Sequence, residues 1–318
     1  MTRYATEAAF RTALEARIAM IAKGDPSRSI PRLRKMVVFD RLLARLLIVA
    51  PEGWSLKGGV ALEFRLGSRA RVTADLDLSA TSGGAPSLQD FLLAADLDVG
   101  DFFRFSISQD KRAGEDSSVR YHVDATIAGR RFESVALDVG ATESLDGRDE
   151  LITGTDLLGF AGMAPIRVPI LPLEQHVAEK LHAYTRKYSG GRMSSRVKDL
   201  IDIVLIQGSF SMSAGALRRS LETTFDQRAT HATPKNLPVP PSDWEEPYKV
   251  LAEQVGLEPN LSDGFRVAAD FLDPVLGGGG RPRSGDRWDP RQGIWVETPE
   301  GSGAGDQGEV TSIAGSRR

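Results

Sequence analysis

Apolar residues at helical spacing open the chain: Phe10, Leu14, Ile18 and Ile21 recur within residues 2–23, and Gly24-Asp25-Pro26 ends the pattern. Pro31 begins a second such segment over about 31–49, with Val38, Leu42, Leu46 and Val49 on one stripe, and Pro51-Glu52-Gly53 stops it. The period then shortens. Trp54-Ser55-Leu56-Lys57 predicts a strand, Gly58-Gly59 a turn, and Val60 to Leu66 a helix ending near Gly67. Val72, Leu76 and Leu78 alternate with polar neighbours and predict a strand through Asp75 and Asp77. Leu88 to Ala95 follows as a helix and Phe102 to Ile107 as a strand. Tyr121 to Ile127 and Arg131 to Gly140 alternate as well, joined by a hairpin turn at Ala128-Gly129-Arg130.

Beyond Ile166 to Pro172, which reads as extended, the pattern becomes helical. Leu173, Val177, Leu181 and Tyr184 form one stripe, and Val197, Leu200, Ile201 and Val204 form the next, with Ser194 or Ser195 as its cap. Residues 213–226 and 245–272 predict further helices, separated by the proline-rich stretch 234–241. Past the glycine run 277–280, Trp288, Ile294 and Trp295 predict a segment that folds back on the body, whereas the composition after Pro299 predicts disorder. The expected class is α+β: a mixed sheet with N-terminal helices over residues 1–165, a helical domain with the fold-back segment over 166–298, and a tail over 299–318. No internal repeat is visible.

A length of 318 residues with 41% hydrophobic content suffices for a packed core. The 40 basic and 43 acidic residues leave a net charge of -3, so any contact with nucleic acid must be local. Two basic clusters offer one: Arg28, Arg32, Arg34 and Lys35, and, nearer the paired aspartates, Arg65, Arg69 and Arg71. The ordinary alternative is a solvated helix face. Zero cysteines exclude disulfides, thiolate-zinc sites and cysteine nucleophiles. No apolar run has membrane-spanning length and the N-terminus lacks the apolar centre of a secretory signal, so a cytoplasmic location is expected, with no membrane partner.

The candidate chemistry centres on Asp75 and Asp77. On a strand, residues i and i+2 point to one face, so the two carboxylates stand side by side and call for a cation. Asp-X-Asp is also common in solvated loops, and that reading stands beside the first. Upstream, a Gly58-Gly59 turn feeding a helix leaves N–H groups that hold phosphate oxygens, aided by the helix dipole.

This order of glycine turn, helix and acid-bearing strand resembles the nucleotidyltransferase superfamily that includes DNA polymerase β. The resemblance implies a third acid on a neighbouring strand, for which Asp138 is the candidate, set opposite to Val135, Leu137 and Val139. A closer similarity is to the AbiEii/AbiGii toxin family, with the MenT-type toxins among its relatives. Four pieces carry it: Phe39 to Leu46, Leu56 to Leu62, Arg71 to Leu78, and the later pair Glu174 to Ala183 with Arg196 to Asp202.

The resemblance implies Mg²⁺ or Mn²⁺ held by Asp75, Asp77 and Asp138, with an NTP as donor. The Gly58 and Gly59 backbone would cradle its triphosphate, with contacts from Lys57 and Thr73, and Asp138 would accept the acceptor's proton. Lys180 and Asp199 match functional positions of the family, implying Lys180 on phosphate and Asp199 orienting it or touching nucleotide. The structural alternative is that Lys180 and Asp199 simply pair with each other or with neighbours across two packed helices. The implied acceptor is the 3′ end of tRNA, and the implied partner an antitoxin. A protein hydroxyl or an aminoglycoside-like molecule is a second acceptor class, and an inactive nucleotide-binding module a third reading. One departure stands out, because the wider superfamily usually has serine where this chain has Gly59. His176 and His182 lack the i,i+4 spacing of a helical zinc site and are expected to be satisfied surface or boundary residues. Arg196 and Lys198 are expected on nucleic acid or in solvent, and Glu174 and Glu179 remain unassigned.

Overall fold

A computed structural model describes residues 2–80, 84–110, 118–141, 149–186, 196–277 and 281–297. Helix α1 (Glu7–Gly24) starts where the Thr6 hydroxyl accepts from the Ala9 N–H, and α2 (Ile30–Val49) where Ser29 accepts from Arg32 with Pro31 in the first turn. Their apolar stripes bury Phe10, Leu14 and Ile18 against the sheet side of the molecule, together with Val38, Leu42 and Leu46.

Nine strands and seven further helices follow among the described residues: β1 (Trp54–Lys57), α3 (Gly58–Leu66), β2 (Asp75–Ala80), α4 (Leu88–Asp96), β3 (Arg104–Gln109), β4 (Val119–Ile127), β5 (Arg130–Ala141), β6 (Glu150–Thr153), β7 (Arg167–Ile170), then α5 (Leu173–Thr185), α6 (Val197–Gln207), α7 (Ala214–Arg228), α8 (Glu245–Val255), α9 (Leu261–Leu276), β8 (Arg287–Asp289) and β9 (Ile294–Val296). Seven of the strands form one mixed sheet in the order β3-β4-β5-β2-β1-β7-β6. The α+β class expected from the sequence is the class observed.

Two strand pairings fix the candidate site. β2 runs antiparallel to β1, with Lys57 opposite Asp77, and parallel to β5, with Asp77 opposite Asp138. Along β5, Val135, Leu137 and Val139 are buried beneath the sheet while Asp138 faces the other way, as the alternation predicted.

Several expectations need correction. Val72 is 48% exposed and lies outside β2, which begins only at Asp75. The sheet is larger than the sequence suggested, because β6 pairs with β7 and β7 joins β1 in parallel. The stretch 245–272 is two helices, since Gly256 ends α8 in a left-handed conformation that glycine adopts freely. The expected Ser194 or Ser195 cap and the tail after Pro299 lie outside the described residues. The fold-back segment is present: Trp288 is buried on Phe271 of α9 and Trp295 stacks against the same ring.

Buried residues fall into two apolar clusters. One fills the space between α1, α2, α4 and the sheet; the other lies among α5 to α9. Leu62 and Leu66 of α3, together with Ala70 just beyond it, belong to the second cluster, so the helix that follows the glycine turn packs the helical half onto the sheet.

Candidate active site

The glycine turn and the acid strand are built as one unit. Gly58 has φ +65°, and a side chain there would overlap the Asp77 carboxylate. Only glycine allows both that backbone and that approach. Lys57 caps α3 without any side-chain hydrogen bond to the first N–H groups, so the helix start is left to bind an acceptor. At Gly59 an added Cβ would lie 2.7 Å from both Cβ and Oγ1 of Thr73. The missing superfamily serine thus has a steric cause: Thr73 fills its place.

Burial, then the nearby Asp138 and Asp75 charges, push the Asp77 carboxyl up to about 6, against the opposing pull of Lys57 and Lys180. Among the described residues, however, no three acidic or histidine side chains are gathered closely enough to hold one metal ion. Arg120 of β4 stands among the acids. It stands opposite Asp138 in the β4–β5 register, donating from Nε to Oδ1 at 2.7 Å and from Nη2 to Oδ2 at 2.6 Å, and Nη2 lies 3.9 Å from Asp75 Oδ2. A cation already sits among the acids.

Across the cleft, α5 and α6 supply a buried ionic cluster. Lys180 Nζ donates to Asp202 Oδ2 at 2.5 Å and lies 3.6 Å from Asp199 Oδ1. Arg71 forks onto the same Asp202, at 2.9 Å to Oδ1 and 3.0 Å to Oδ2. Lys180 thus pairs with Asp199 and, more closely, with the neighbouring Asp202. Burial opposes charge on Asp202, but Lys180 and Arg71 hold its carboxyl below the usual range, whereas burial raises that of Asp199.

His176 departs furthest from expectation. It is buried one helical turn before Lys180, and neither ring nitrogen has a hydrogen-bond partner. Burial, then the cations Lys180, Arg65, Lys57 and Arg71, drive its pKa well below the usual value, so the ring is neutral. His182 is buried too, with Nε2 2.8 Å from the Thr230 hydroxyl. Glu179, unassigned from the sequence, lies 3.5 Å from Lys57 Nζ and from Arg228 Nη2.

The basic clusters divide. Arg32 is buried on Glu63 and Arg34 pairs with Glu15, so the first is structural in these two members. Of the second, Arg65 reaches Glu150 and the Leu171 carbonyl, and Arg71 lines the cleft.

The cleft has a volume of about 880 Å³, and all nine candidate residues line it: Lys57, Gly58, Gly59, Thr73, Asp75, Asp77, Asp138, Lys180 and Asp199. Sequence reasoning missed Arg120, expected His176 to be a satisfied surface or boundary residue, and gave Asp202 no role.

Comparison with known protein families gives a match over residues 41–271 to the family described as nucleotidyl transferase AbiEii toxin, type IV TA system. The chain belongs to the AbiEii family. Every candidate residue lies inside the matched span. A comparison with curated proteins finds no match. Among solved structures, MenT4, a nucleotidyltransferase toxin from Mycobacterium tuberculosis H37Rv, is 20% identical with a TM-score of 0.49, covering 82% of this chain and 97% of its own. JHP933 from Helicobacter pylori is 16% identical with a TM-score of 0.45, covering 76% of this chain and 93% of its own. The assignment to AbiEii rests on the family match, which identifies the chain as a member of a nucleotidyltransferase toxin family. Among the described residues no helix is long and apolar enough to cross a membrane.

Proposed function

We propose that this AbiEii family member transfers a nucleoside monophosphate from an NTP to a hydroxyl at the 3′ end of tRNA, and so blocks translation in the cytoplasm unless an antitoxin intervenes. The observation that carries the reading is the register of β2 and β5, which sets Asp77 directly beside Asp138 at a cleft also lined by the glycine turn and Lys180.

The residues fit a divalent ion. Carboxylate oxygens suit Mg²⁺ or Mn²⁺, the Asp77 carboxyl is raised partly by its acidic neighbours, and a guanidinium already occupies the cluster. Asp75, Asp77 and Asp138 would hold the ion, which when bound supplies charge stabilisation at the phosphates. The rest of the chemistry belongs to the chain. The acceptor oxygen attacks the α-phosphorus, the bond to the bridging oxygen breaks, and pyrophosphate leaves. Asp138, once released by Arg120, accepts the hydroxyl proton. The α3 N-terminus receives phosphate oxygens at Gly58 and Gly59, with Thr73 and Lys57 alongside. Lys180, fixed by Asp202 with Asp199 nearby, supports the charge of the triphosphate from the opposite wall.

Local cations support an RNA acceptor despite the net charge of -3. Arg186, Arg196, Lys198 and Arg228 line the helical side of the cleft.

The test is incubation with Mg²⁺, each α-labelled NTP in turn, and total RNA, protein extract or an aminoglycoside panel. Label should appear in tRNA and fall by roughly a thousandfold or more in Asp75→Asn. Label in protein or drug replaces the acceptor, no label anywhere leaves a binding module, and undiminished labelling by Asp75→Asn moves the chemistry elsewhere.

A further inference from the structure

Arg120 has no part in the proposed chemistry as it stands, yet it blocks it. Both oxygens of Asp138 are engaged in a two-pronged contact with its guanidinium, which leaves neither free to accept a proton from a substrate along that edge or to share an ion with Asp77. The guanidinium also leans toward Asp75, 3.9 Å away. It cannot leave by losing its proton, because the Asp138 contact raises its already high pKa. It can leave by rotating. The Arg120 side chain is 49% exposed whereas that of Asp138 is 19% exposed, so the cation sits on the solvent side of the cluster and departs without disturbing the core.

We infer that Arg120 is a positioning residue that acts as a resident counter-cation: it pairs with and aligns Asp138 and Asp75, and a divalent ion must displace it to reach the acids. This rests on the reading of the acid cluster as the ion site. The strand register sets Arg120 opposite Asp138, within reach of its carboxylate. The arrangement keeps the acids aligned before an ion arrives, and it sets a threshold on ion entry.

Binding of Mn²⁺ to the full chain without nucleotide, followed by loss of the free-ion paramagnetic resonance signal, tests this independently of turnover. Arg120→Gln should bind Mn²⁺ about five- to tenfold more tightly than the native chain, the scale expected for removing a charge-assisted ion pair at a half-exposed position. Arg120→Lys, which keeps the charge but loses the fork, should fall between them, and it serves as the deciding variant if Arg120→Gln does not fold. Affinity unchanged or weakened in a folded variant overturns the role of Arg120 and leaves the metal reading intact. No Mn²⁺ binding by either the native chain or the variants overturns both.

Discussion

Asp77, at the centre of the proposed site, carries a cost to the fold. Its folded pKa of about 6 lies above the ordinary 3.8, with burial the largest cause. For a carboxyl raised in this way the fold prefers the protonated form, so the stabilisation is complete below the ordinary value and disappears as pH rises through about 6. At pH 8 and without divalent ions the charge is therefore a burden. Asp77→Asn, measured by thermal melting with a chelator present, is expected to raise the melting temperature by several degrees at pH 8 and by much less at pH 4. A variant that melts lower than the native chain at both values would show that Lys57 more than compensates the buried charge. His176 belongs to the same class of residue: a neutral ring without hydrogen-bond partners is a cost at one position in a cleft wall.

At the scale of elements, the glycine turn, α3 and the segment leading into β2 are matched by shape. Because a side chain at position 59 meets Thr73, Gly59→Ser alone should lower both stability and nucleotide affinity, while Gly59→Ser combined with Thr73→Gly should restore much of each. Nucleotide titration and melting of the four proteins of this cycle decide it, and strictly additive losses would remove the proposed exchange of places. The turn, the acid strand and the α5 stripe were all legible in the sequence, since each depends on local periodicity or on glycine. Arg120 was not, although the turn expected at Ala128-Gly129-Arg130, carried straight along the hairpin, also sets it against Asp138. Opposite register alone does not show that its guanidinium forks onto that carboxylate; in the fold the turn is Ala128-Gly129 and a one-residue shift at Ala125/Thr126 gives the same pairing. Asp202 was hidden differently: it shares a face with Asp199, and only the packing of α6 shows which of the two meets Lys180 and Arg71.

Over the whole molecule, the sheet half and the helical half are joined by charge as well as by the apolar contacts of α3. Asp202 is fully buried between Arg71, on the segment leading into β2, and Lys180 of α5. Asp202→Ala strands two cations in a dry interior and should cost about 3–5 kcal/mol in urea unfolding, the range for breaking a buried ion pair from one side. A loss under about 1 kcal/mol, as for an exposed pair, would mean that water reaches the cluster. The position of β2 has a last consequence. Because it is hydrogen-bonded to β1 on one edge and β5 on the other, the pitch between Asp75 and Asp77 is set by backbone pairing and does not yield. The facing wall differs, since Lys198 is exposed on α6 and Arg228, paired with Glu179, lies at the exposed end of α7. Substitutions confined to the helices can therefore reshape one wall of the cleft while the spacing of the acids on the other is kept.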